Sequence, residues 1–166
     1  MTKKTRSYLL PALSPGLCDF KRHLRITTDD LDAELHVKLL AAFNAAENMI
    51  GQVIALSRFT VTGPFTRCIM LPSRPLVEVE TVSVDGDPVD GYTVKERYVI
   101  LPEGAAGSEV EVTYVAGMQE VPFDIQAAIL LHAAALFNNP VDSVETLPKA
   151  STNLLRPYRL WELGRK

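Results

Sequence analysis

The sequence predicts an α+β fold in which N-terminal and C-terminal helices pack together around a central antiparallel β block. Two helical apolar patterns and one stretch of strict alternation carry that prediction. Leu31, Leu35, Leu39, Ala42, Phe43, Ala46 and Ile50 recur at helical spacing near the start. Residues 125–138 form a second run that is apolar nearly all round. Between the two, Val77-Glu78-Val79-Glu80-Thr81-Val82-Ser83-Val84 alternates with the two-residue period of a half-buried strand.

Residues 1–16 read as a flexible N-terminal arm, because Pro11, Pro15 and Gly16 block any long helix. Leu17 to Leu24 fits a short helix with Ser14 as its cap ahead of Pro15. Thr27 offers a capping-box start to the long helix, with Asp30 three residues on and Asp29 and Asp32 favouring the same terminus. That helix runs to a stop at Gly51, so helices fill residues 17–50.

The strand block spans residues 52–115. Arg58–Thr62, Arg67–Leu71, Val77–Val84, Tyr92–Val94, Tyr98–Leu101 and Glu109–Val115 read as short strands separated by turn residues, which implies antiparallel pairing. Asp85-Gly86 supplies hairpin-turn chemistry. Pro122 then opens a helix over 122–138, expected to be the most buried element, and Asn138-Asn139-Pro140 stops it. A connector over 141–150 leads to a tail over 149–166, where Pro157 interrupts one or two helical turns.

At 166 residues the chain reads most simply as one domain after the arm, long enough to bury roughly 68–70% of its unfolded surface. The longest apolar run, Ala127 to Phe137, falls well short of the roughly 20 residues a membrane-spanning helix needs. Cys18 and Cys68 form no CxxC pattern and are expected to be reduced thiols.

No catalytic constellation is present, so no enzyme is expected. His23, His36 and His132 fall in separate elements without metal-ligand spacing. His132, inside an apolar helix, is expected to be a core histidine with its hydrogen bonds satisfied. GxSxG, GxGxxG and GxxxxGK are all missing, and no cofactor is expected. The Asp85-Gly86-Asp87-Pro88-Val89-Asp90-Gly91 stretch carries the alternative reading, a small ligand- or metal-binding module built on the Asp85–Asp90 turn. Its spacing is not that of an EF-hand, and a hairpin turn explains it more simply.

The net charge of −3 is unevenly spread. Lys3, Lys4, Arg6, Lys21, Arg22 and Arg25 against Asp19 give the first 25 residues +5. Lys149, Arg156, Arg159, Arg165 and Lys166 against Glu162 give the last 18 residues +4, which leaves −12 for the middle. Basic ends on an acidic body suit an acidic neighbour, including a second copy of the chain. In the tail, Leu154, Tyr158 and Trp161 share one helical face with Arg156 and Arg159 beside it. These are residue types that dominate protein–protein contacts. A tail folded back on its own core is the competing expectation.

Five stretches in order carry a resemblance. They are HLRITTDDL at His23–Leu31, LPSRPLV at Leu71–Val77, VTYVAG at Val112–Gly117, IQAAILL at Ile125–Leu131 and LPKASTNLLRPY at Leu147–Tyr158. Together they resemble the head–tail connector, or head-completion adaptor, family of tailed bacteriophages and prophages. The resemblance covers residue 17 to the end; the arm has no obvious counterpart in the family. It implies a structural adaptor that assembles as a ring on the portal and joins the DNA-filled head to the tail. Its partners would be other copies of itself, the portal protein and a tail or stopper protein. DNA would be present only as channel contents, and no membrane is involved. Such a protein is expected in the host bacterial cytoplasm during assembly and then at the virion head–tail junction. By analogy, Leu154, Leu155, Arg156, Tyr158, Arg159 and Trp161 are expected to dock on the portal. Asp32 and Glu34, facing Lys21, Arg22 or Arg25 of a neighbour, are expected to form the contact between subunits.

Overall fold

A computed structural model describes residues 3–9, 14–139 and 148–160, which contain four α-helices and two antiparallel sheets. The α+β class is as the sequence predicts. The chain divides into two compact units, each drawn from two stretches of sequence. One comprises Met1–Pro11 and Ala55–Gln119, the other Ala12–Ile54 and Glu120–Lys166.

The strand unit is built on a five-stranded sheet of order β1-β2-β8-β4-β5. Its strands are β1 (Lys3–Tyr8), β2 (Ser57–Pro64), β4 (Leu76–Val84), β5 (Asp87–Pro88) and β8 (Glu109–Ala116). A second sheet of order β3-β7-β6 comprises Cys68–Met70, Tyr98–Ile100 and Thr93–Lys95. The apolar faces of β2 and β8 bury Phe59, Val61, Val112 and Tyr114, and the Phe59 and Tyr114 rings stack with centroids 5.6 Å apart. On the other face Thr5, Thr60, Thr113 and Thr81 form one row across four strands, where β-branched side chains pack well.

Lys3–Tyr8 lies within the stretch expected to be an arm, yet it pairs antiparallel with β2 over its whole length. The cause is long-range. The Lys4 ammonium sits 4.6 Å from the centroid of Phe59, and the Arg6 guanidinium lies 4.3 Å from Tyr8 and 5.5 Å from Phe59. Basic side chains that suggest a solvated tail instead lie over the buried Phe59 ring and the half-buried Tyr8 ring.

The alternation expected over Val77–Val84 is interrupted. Register shifts fall between Leu76 and Glu78 and between Val79 and Thr81, so the strand carries two bulges against an unbroken β8. The second bulge frees Glu80 to take Arg58 in a bidentate pair, with N···O distances of 2.6 and 2.7 Å. The Arg58 hydrogen bond holds the Glu80 carboxyl below its usual range.

Asp85 and Gly86 both adopt positive φ, 52° and 93°, and form the expected tight hairpin from β4 to β5. The Asp85 carboxylate turns back to accept from the Ser108 amide at 3.0 Å and the Glu109 amide at 2.8 Å. Asp85→Ala removes that acceptor and places alanine at positive φ. It is expected to cost about 1–2 kcal/mol in a urea melt, while Asp85→Asn should cost less.

The helical unit contains α1 (Leu17–Leu24), α2 (Asp32–Ile50), α3 (Phe123–Asn138) and α4 (Lys149–Leu155), followed by a 3₁₀ turn at Arg156–Tyr158. Helices from both ends of the sequence pack on one another here, α2 against α3 and α3 against α4. Phe20, Leu35, Leu39, Phe43, Ile50, Ile125, Ile129 and Leu155 are among its fully buried side chains.

Two helix starts differ from expectation. Gly16, not Ser14, caps α1, and its amide donates to the Asp19 carboxylate at 3.0 Å. α2 begins at Asp32 with Leu31 as its cap and no side-chain cap bond, five residues beyond Thr27. Two of the acids expected to favour that terminus, Asp29 and Asp32, both accept from Lys21.

Candidate functional site

The residues expected at interfaces lie in the helical unit, in two groups. The first surrounds the turn from α1 to α2. Arg25 ends α1 in a left-handed conformation, φ 59°, while the Ile26 amide donates to the Lys21 carbonyl at 2.9 Å. The turn aims Lys21 at the start of α2, where its Nζ lies 2.5 Å from Asp29 and 2.7 Å from Asp32. These hydrogen bonds raise the Lys21 pKa, and Lys21 holds the Asp29 carboxyl below its usual range. Lys21 and Asp32, expected to meet across two copies, therefore meet within one. Arg22 pairs with Asp19 at 3.3 Å, and Arg25 and Glu34 are exposed.

The second group is the tail. Leu155, expected at a docking face, is completely buried and anchors the tail to its own core. The Leu160 amide donates to the Ile50 carbonyl at 2.9 Å, and Gln52 Nε2 donates to the Tyr158 carbonyl at 2.8 Å. The tail thus folds back on the end of α2 as far as Leu160. Leu154 and Tyr158 are half-buried, while Arg156 and Arg159 are exposed. Trp161 and the charged residues beyond it lie outside the described residues, as do residues 140–147 of the connector.

Sequence reasoning missed Glu47, which is only 9% exposed and accepts from the Ile54 amide at 2.8 Å. The signal was available: Glu47 stands four residues after Phe43, on the apolar stripe, where a charge demands a buried partner.

His132 is buried as expected, but its hydrogen bonding is not satisfied. Its Nδ1 and the Ser151 hydroxyl are both buried and have no hydrogen-bond partner among the described residues. Desolvation pushes the His132 pKa below its ordinary 6.5. The unfolded chain takes up a proton near that pH, while the folded chain resists it. The associated stability is complete above about pH 6.5 and is lost as pH falls through and below that value. His132→Leu should therefore flatten the decline in melting temperature between pH 7 and pH 5.

Among the described residues, no group of His, Cys, Asp or Glu is arranged to hold a metal ion. The Asp85 carboxylate, central to the alternative reading, is turned to the Ser108 and Glu109 amides. Cys18 and Cys68 are exposed and unpaired with each other. No described helix is long and apolar enough to cross a membrane.

The whole chain matches chains in solved structures of gene transfer agent particles. A chain from the neck of an empty gene transfer agent particle, computed with C6 symmetry, superposes with a TM-score of 0.79 at 22% identity, covering 99% of this chain and 98% of that one. This chain shares the fold of a particle-neck protein. A chain of the native gene transfer agent virion gives 0.76 at 24% identity, covering 100% of this chain and 98% of that one. A chain of the native particle's neck, computed with C12 symmetry, gives 0.75 at 20% identity over 98% of both chains. No protein-family model matches the sequence, and no curated protein matches it. The neck fold accounts for both units, since the matches run the full length of the chain.

Proposed function

We propose that the protein is a structural adaptor of a phage or phage-like particle, forming a ring on the portal and joining the DNA-filled head to the tail. One observation carries this reading: the full-length likeness to a neck chain, with 99% and 98% of the two chains covered. The rotational symmetry named for those necks supports a ring of copies. Its partners are its own copies, the portal and a tail or stopper protein, with DNA passing through the channel. Assembly takes place in the host cytoplasm and ends at the head–tail junction.

Portal docking falls to Leu154, Arg156, Tyr158, Arg159 and Trp161, with Leu155 as the internal anchor of the tail. Light scattering of the protein mixed with its portal should show a stable complex carrying a ring of copies. Arg159→Glu should weaken it most at low salt. A protein that stays monomeric with portal at all salt concentrations would sink the reading. Truncation before Leu155 is not a usable test, because it removes a core residue together with the contact.

A further inference from the structure

Three buried side-chain atoms lack a hydrogen-bond partner among the described residues, namely Ser73 Oγ, His132 Nδ1 and Ser151 Oγ. Two of the three belong to α3 and α4, which pack on one another. Ser151 is completely buried and His132 is 6% exposed. Chain direction brings the pair to one level. The Tyr158 hydroxyl lies 3.5 Å from the Asp124 carboxylate at the start of α3, so α4 runs back along α3, antiparallel to it. From Tyr158 back to Ser151 is about 12 Å, at roughly 2.0 Å per residue through the 3₁₀ turn and 1.5 Å through the helix. The same rise along α3 covers about eight residues, from Asp124 to His132.

An imidazole nitrogen and a serine hydroxyl can serve one another as donor and acceptor, yet here neither is served. Each such group has given up its bonds to water, a penalty of roughly five- to a hundredfold in an equilibrium constant. The rest of the seat is slight. α4 has seven residues, begins after Pro148 and has no side-chain cap; only Ser151 and Leu155 are buried in it. A helix this short does not persist without packing. The Leu160 amide to Ile50 and Gln52 to the Tyr158 carbonyl close the seat at its part-exposed end, where water can replace both bonds.

We infer that α4 and the 3₁₀ turn form a latch, opening from α3 as one unit while the rest of the helical unit stays folded, because opening returns His132 and Ser151 to water. Local opening of this kind is drawn from the least stable part of a fold. It frees Arg156 and Tyr158 together with Leu155, so the tail can reach beyond the surface that it covers when closed. That use rests on the adaptor reading above; the latch itself belongs to the free chain and is measured there.

Amide hydrogen exchange of the full chain, followed residue by residue, tests it. The Thr152 amide is bonded to the Pro148 carbonyl and the Arg156 amide to that of Thr152. Both should exchange faster than the α3 amides, through an opening that low urea barely changes. Ser151→Ala leaves no hydroxyl to rehydrate, and should slow this exchange roughly five- to a hundredfold with α3 unaffected. Asn153→Ala is the control, since Asn153 is exposed and the change raises helix propensity alone; it should slow exchange by about threefold. Exchange of α4 only through global unfolding would overturn the latch, as would equal effects of the two variants. Faster exchange in Ser151→Ala would overturn it too, by showing that the hydroxyl supports the closed seat. All three results leave the adaptor reading standing. With the portal present, Ser151→Ala should join more slowly than wild type by a similar factor, and equal rates would remove the latch from docking. A wild-type chain that forms no complex with its portal would remove the adaptor reading, and the exchange data would still decide the latch.

Discussion

Gly117→Ala should be among the most damaging substitutions in the strand unit, lowering stability by about 2–5 kcal/mol. Gly117 follows β8 at φ 138°, a conformation that side-chain-bearing residues rarely adopt. A Cβ there would stand 2.8 Å from Leu56 Cα and 2.9 Å from the Ala55 carbonyl and the Leu56 nitrogen. All three are backbone atoms and cannot rotate aside. The Gly117 amide also donates to the Pro75 carbonyl at 2.9 Å, which pins the residue from the opposite side. Conformational strain of about 1–3 kcal/mol and overpacking of similar size then act together. At about 2–4 °C per kcal/mol, a thermal melt would read the change easily. An alanine variant that melts with the wild type would show that the Ala55–Leu56 backbone yields freely.

Leu155→Ala should cost about 2–5 kcal/mol, the range for a buried leucine that leaves a cavity. Leu155 is completely buried and holds α4 at the point where the 3₁₀ turn departs. Arg156→Ala, one residue on and exposed, should stay within about 0.5 kcal/mol of wild type. Urea titrations of the two variants separate anchor from contact surface. If Leu155→Ala proved as mild as Arg156→Ala, the tail would have no anchor there. Any effect of Leu155→Ala on assembly should follow the fraction folded, whereas Arg156→Glu should impair assembly in a chain that melts normally.

Most of the fold was legible because most of its elements announce themselves locally. Leu17–Leu24 and the end of α2 at Gly51 fall where spacing and stop signals put them, and so does the Asp85-Gly86 hairpin. The failures share a cause, which is a partner remote in sequence. β1 is a strand because Ser57–Thr62 lies beside it, and nothing within residues 1–16 reports that. α2 starts late because Lys21 draws Asp29 and Asp32 into its own hydrogen bonds. The bulges in β4 appear only against an unbroken β8. The interface residues were less legible for a related reason. Charge and side-chain type marked Lys21, Asp32 and Leu155 as outward-looking, but only packing shows that all three serve this chain. The apolar outer face of α3, where Phe123 is exposed, was in plain view as apolar spacing and was read as core, because sequence gives a helix's pattern without saying how many of its faces are covered.

Because each unit is assembled from two separated stretches, the chain passes from one unit to the other three times. No single cut can release either unit whole. A break at any crossing leaves at least one unit missing part of itself, and a nascent chain carrying β1 must wait for all of α2 before β2 exists to receive it. A premature stop within α2 would therefore leave neither half complete, whereas one after Gln119 would spare the strand unit and lose α3 and α4.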